Sequence, residues 1–279
     1  MEIEFVPTLA IQRELYSKRR NMARFHWYID QLTGPNERGG LDIALPIGAV
    51  NPMGREHCLS AVEALLAIDA ESAVEEAIAE IKSQLLGIPG VARVCLNVLD
   101  DFHGGWTNRY FSEAGMRLGS EFGLRANRTR HFVVIPAWSS ESYTRETIRA
   151  ETAAAIYRHT VWENLGLART VGALLRWEGL AIRFTGAPPT DPLLAPCLSG
   201  EELDYTREVL AAVVEATDFP THFATFFGDE PAVASGYPPL GIPTRAGFAL
   251  ALDEARNSNP SLELRREIEM ERSPNTIGR

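Results

Sequence analysis

Residues 155–162 read Ala155-Ile156-Tyr157-Arg158-His159-Thr160-Val161-Trp162, and residues 177–184 read Trp177-Glu178-Gly179-Leu180-Ala181-Ile182-Arg183-Phe184. Both lie in segments with helical periodicity, about 144 to 162 and 168 to 184, with Asn164 and Gly166 between them. Each helix carries a polar group among apolar neighbours. Glu178, flanked by Trp177, Leu180 and Ala181, is expected to be partly buried, and a buried carboxylate must find a partner.

Upstream, His131 to Pro136 is a continuous apolar run, and Val91 to Leu99 has a strand-like pattern after the Gly87-Ile88-Pro89-Gly90 break. A further strand is expected at Trp106 to Phe111, behind Gly104 and Gly105. Residues 7–32 read as an opening helix broken near Arg19-Arg20, and 55–86 as two helices parted at Asp69, with a capping-box pattern at Ser72 to Glu75. Downstream, helices are expected at 201–216 and 244–256. The Phe/Pro/Gly-rich segment 218–243 reads as a lid or binding loop, and the charged tail 261–279 as frayed. The fold class this gives is α+β, a small mixed sheet packed on a helical half. Its divisions are a helical layer at 1–90, an α+β domain at 91–260 and a tail at 261–279.

Lys and Arg number 27 against 37 Asp and Glu, and the net charge of −10 argues against a nucleic-acid partner, because phosphate contacts need a positive face. Cys58, Cys95 and Cys197 are few and scattered, so no disulfide framework or CxxC knuckle can be drawn and they read as reduced. The acidic start Met1-Glu2-Ile3-Glu4 and the lack of an apolar run near ~20 residues lead us to expect a cytoplasmic chain with no membrane partner. There is no Gly-x-Ser-x-Gly elbow, phosphate loop or dinucleotide fingerprint.

The helix pair resembles the small bacterial zinc-protease family of the gluzincin clan, whose members carry His-Glu-x-x-His on one helix and Glu-Gly-x-Ala on a later one. Tyr157, His159, Val161, Trp162, Glu178, Gly179, Ala181 and Phe184 stand where that pattern places them. The strand at His131, the Gly104-Gly105-Trp106 stretch and Gly236 to Gly241 resemble family features in the same order, so the likeness spans roughly residues 90–260. It implies a minimal gluzincin (zincin-like) architecture with an added N-terminal helical layer. In the family, two histidines one helical turn apart and the later glutamate hold zinc, and the glutamate after the first histidine is the base. Here those first two positions hold Ala155 and Ile156. Two ligands fall short of three, and loss of a general base costs on the order of 10²–10⁴ in rate. The resemblance therefore implies a degenerate metallopeptidase-like protein with no cofactor expected, which binds a peptide or small molecule in its cleft. The alternative is a repurposed hydrolase using His159 and Glu178, with or without a metal.

His159 and Glu178 are the catalytic candidates, expected to meet on facing helices. The residue reading leaves Glu178 three partners: His159, an arginine (Arg158 or Arg176), or a metal. Zinc is possible only if the site is rebuilt with other ligands, and Glu163 (i+4 from His159), Glu151, His103 and His131 are the candidates. Gly104, Gly105, Trp106, Asn108, Arg109 and Tyr110 are expected to form a strand along the cleft rim, with Tyr157 also in contact with substrate and Arg109 an exposed rim charge. Arg117, Arg125, Arg128 and Arg130 read as a solvated basic loop. His57 and Cys58, adjacent on a helix, do not read as a catalytic pair.

Overall fold

The computed structural model describes residues 1–34, 43–102, 106–119, 130–186 and 196–272. Three strands, β1 (Glu2–Phe5), β2 (Val91–Leu99) and β3 (Phe132–Trp138), form one sheet in the order β1-β2-β3. All pairings are parallel, with Glu2 opposite Val91 and Arg93 opposite Phe132. The sheet is therefore not mixed, as the sequence led us to expect. The expectation missed β1, four residues that alternate acid with apolar (Glu2, Ile3, Glu4, Phe5) but are too short to stand out beside the acidic start. Parallel neighbours need long crossovers, and helices supply them. Between β1 and β2 run α1 (Leu9–Ser17), α2 (Met22–Thr33), α3 (Glu56–Ala67) and α4 (Ala70–Gln84), and α5 (Arg109–Leu118) precedes β3. Central β2 is buried without a break from Val94 to Leu99, so its residues do not alternate apolar and polar, Asn97 being the one polar side chain in that run. Pro136 sits on edge strand β3, where a missing N–H disturbs no further ladder.

The helical half comprises α6 (Arg145–Leu165), α7 (Val171–Phe184), α8 (Gly200–Ala211), α9 (Phe219–Phe227), α10 (Asp229–Ala234), α11 (Ala246–Glu254) and α12 (Pro260–Arg272). The side chains of Thr144, Thr170 and Ser199 cap α6, α7 and α8. The break between α3 and α4 is at Asp69, in a left-handed conformation (φ 55°), and the Ser72–Glu75 pattern lies inside α4 rather than at its start. Segment 218–243 is not one long loop. Asp218 caps α9, a proline occupies its first turn, and Phe223, Phe226 and Phe227 are fully buried. Nor is the tail frayed throughout: Leu264 and Ile268, one turn apart, bury the face of α12 that packs on α6 and α7.

Ile3, Leu9 and Ile78 from the first 90 residues share one core with Val94, Ile135, Ile156 and Leu180. A second cluster joins α5, α7 and α9 to α11. Among the described residues no helix is long and apolar enough to cross a membrane.

Candidate functional site

Helix α6 lies alongside edge strand β3, and α5 forms a third wall. A cavity of about 70 Å³ lies between them. Glu151, Ala155, His159 and Trp162 share the cleft-facing side of α6 at helical spacing, opposite Phe132, Val134 and Pro136 of β3. The cleft is bounded by β3, α6 and α5, and no residue of α7, the helix that carries Glu178, lines it.

Glu178 on α7 is buried and ionised, held by two guanidinium groups rather than by a metal. Arg117 donates from Nε to Oε1 at 2.8 Å and also from Nη2, while Arg158 donates from Nε to Oε2 and from Nη2 to Oε1, each at 2.7 Å. Burial acts to raise the carboxyl pKa, but the charges of Arg117 and Arg158 and their hydrogen bonds hold it below its ordinary value. The network continues. Glu113 Oε1 accepts from Arg117 Nη1 at 3.1 Å and from Arg245 Nη1 at 2.9 Å, and Arg117 lies 3.8 Å over the Phe248 ring. Gly179 lets α11 cover this cluster, since a Cβ there would meet the Ala251 carbonyl oxygen at 2.0 Å.

The Arg158 option for Glu178 is the one found, and Arg176 instead pairs with Glu267. No hydrogen bond joins His159 to Glu178 among the described residues. His159 Nε2 is 2.8 Å from the Val91 carbonyl oxygen, where it donates to the start of β2. The expected meeting of the two side chains is therefore corrected: a carboxylate gains more from two charged forks than from one imidazole. The zinc set implied by the resemblance does not fit, because Ala155 offers no ligand atom and both oxygens of Glu178 are engaged by arginines.

The expected rim strand is a helix start. Asn108 accepts from the Phe111 N–H at 3.2 Å and caps α5, so neither it nor Arg109 and Tyr110 belongs to a strand. Trp106 is exposed just ahead of the helix, while Tyr110 packs edge-on against Phe223 and Phe227. Arg109 is a structural clamp rather than a free rim charge. Its Nη1 donates to Glu141 at 2.7 Å and to Asp101 at 3.3 Å, which ties together the residues that follow β3 and β2. Tyr157 is a core residue, fully buried against Phe184 with its hydroxyl donating to the Pro260 carbonyl at 3.0 Å. Gly104, Gly105, His103, Arg125 and Arg128 lie outside the described residues. Arg117, read as part of a solvated loop, is instead the buried centre of the ion-pair cluster. The signal that could have found it is Glu113-x-x-x-Arg117, the i, i+4 spacing of a helical ion pair.

Glu151 is the residue that sequence reasoning undervalued. It lines the cleft with Arg117 and Arg158 nearby, yet their donors go to other carboxylates. Burial raises its pKa, and the pull of Arg117 and Arg158 does not fully offset this. It is a carboxyl poised to accept a donor from a ligand.

A second polar group lies at the carboxyl end of β2. Asp100 Oδ1 is 2.8 Å from His57 Nε2, Asn51 Nδ2 donates to Asp100 Oδ2 at 2.7 Å, and Cys58 Sγ is 3.3 Å from the same His57 nitrogen. The adjacent side chains do reach each other, contrary to the helical argument. A relay needs acid and nucleophile on opposite ring nitrogens, however, and here both meet Nε2. Burial, reinforced by Asp100, pushes the Cys58 thiol up to about 12, which disfavours the thiolate that a nucleophile needs.

Comparison with protein-family models, with curated proteins and with solved structures gave no match.

Proposed function

We propose that this chain is a metallopeptidase-like protein without conventional peptidase activity, which binds a small molecule or the end of a peptide in the cleft between β3 and α6. The observation that carries the reading is the double guanidinium clamp on Glu178, at the position where the family pattern has its third ligand. Arg117 and Arg158, which make the clamp, also line the cleft, so it keeps a shape for a ligand with no metal at Glu178. Its walls are largely apolar, with Met116, Val134, Pro136 and Trp162, and the carboxyl not engaged by an arginine fork is Glu151. The ligand chemistry this favours is an apolar body carrying an ammonium or another hydrogen-bond donor. The three free cysteines and acidic charge are consistent with a cytoplasmic location.

A screen of alkyl and aryl amines by thermal shift tests the reading, alongside hydrolysis of an unfolded protein substrate with zinc added. Amines should raise Tm, Glu151→Gln should weaken binding roughly 10-fold or more, and no hydrolysis should be seen. Zinc-dependent hydrolysis would contradict it.

A second reading, an enzyme, is favoured by the raised pKa of Glu151, the kind of shift found at acid–base centres. Turnover of a bound amine derivative, lost in Glu151→Gln, would select it.

A further inference from the structure

We propose that His131, His159 and Glu163 form a binding site for a divalent transition-metal ion of the zinc class, at the start of β3. One ligand atom from each residue lies within 4.8 Å of the others, and His131 Nδ1 is 3.5 Å from Glu163 Oε2. In a tetrahedral site with bonds of ~2.0–2.1 Å, neighbouring ligand atoms stand about 3.3 Å apart, so this pair is close to ligand spacing and the third atom closes with small side-chain rotations. Two imidazoles and a carboxylate suit zinc-class ions, while calcium and magnesium take oxygen.

Three independent features support a ligand role. His159 and Glu163 are one helical turn apart on α6 and share a face. The bond from His159 Nε2 to the Val91 carbonyl orients the ring, as outer-shell carbonyls do for metal-bound histidines. His131 holds a left-handed backbone (φ 56°), which a non-glycine residue adopts at a cost, while its carbonyl is pinned by the Arg93 N–H at 2.8 Å. That conformation delivers Nδ1 into the cluster, where it is buried without a hydrogen bond. The cluster excludes Glu178 and does not depend on the peptidase likeness. His159, Phe132 and Trp162 also line the cleft, so a fourth, exchangeable position would face it.

Chelator-stripped full-length protein titrated with Co²⁺, followed by its visible ligand-field absorption and then displaced by Zn²⁺, tests the site. One equivalent with four-coordinate absorption is expected. His131→Asn keeps a residue that tolerates the left-handed backbone but removes the imidazole, and should weaken binding at least about 100-fold with circular dichroism unchanged. Glu163→Gln should weaken it too, and His57→Asn, in the other histidine cluster, should not. Absence of saturable uptake, uptake unchanged in His131→Asn and Glu163→Gln, or uptake lost in His57→Asn would overturn the proposal. The amine screen reads Glu151 and not these ligands, so the two proposals fail separately.

Discussion

Glu178 is buried between two buried arginines, so its removal would leave both guanidiniums charged and under-bonded in a covered site. Breaking a buried pair from one side costs about 3–5 kcal/mol, and Glu178→Ala should lose stability on that scale in chemical denaturation. The pH dependence has two opposing parts. The Glu178 pKa is depressed in the fold, so its contribution is full above the ordinary value of 4.5 and is lost as pH falls through the folded value. Glu151 is raised, so its contribution is present below that value and is lost as pH rises through the folded value. Glu151→Gln should therefore match the wild type at about pH 4 and exceed it in stability at about pH 8. Equal stability at both pH values would show that Glu151 is not confined by the cleft. At this scale the sequence marked Glu178 as a carboxylate in need of a partner and Arg158 as one option, because its neighbours were apolar. It marked Arg117 only through the i, i+4 spacing to Glu113, because the pairing with Glu178 crosses from another helix.

Helix α5 explains the largest misreading. Its buried residues mix the ion pair Glu113 and Arg117 with Ala114 and Leu118, so its apolar stripe is short and begins inside an aromatic run. The run Trp106 to Phe111, whose last three residues already belong to the helix, then resembles a strand. Segment 218–243 failed for a related reason: Phe, Pro and Gly suggest a loop, yet the proline is in a first turn where helices accept it. By contrast β2, β3, α6 and α7 were legible because most of what they bury is apolar and their ends carry proline, glycine or capping hydroxyls. The clamp between the strand ends also belongs to this scale. Arg109→Ala should cost about 1–3 kcal/mol, since it strips hydrogen bonds from Asp101, a buried carboxylate, and from Glu141. A thermal midpoint unchanged from wild type would return Arg109 to the role of a free rim charge.

Across the whole molecule, the first 90 residues are not an added layer that could be removed. Strand β1 completes the sheet beside β2, and Ile3 and Leu9 share the core of Ile156 and Leu180. A fragment of residues 91–279 should therefore show no cooperative unfolding and no native near-UV spectrum, whereas an independently folded fragment would show that the core divides near residue 90. The most direct test of the account is zinc-edge anomalous diffraction from crystals soaked in Zn²⁺. The account predicts no peak within bonding distance of Glu178, whose carboxylate lies between Arg117 and Arg158. An ion bridging His159 and Glu178 would contradict it.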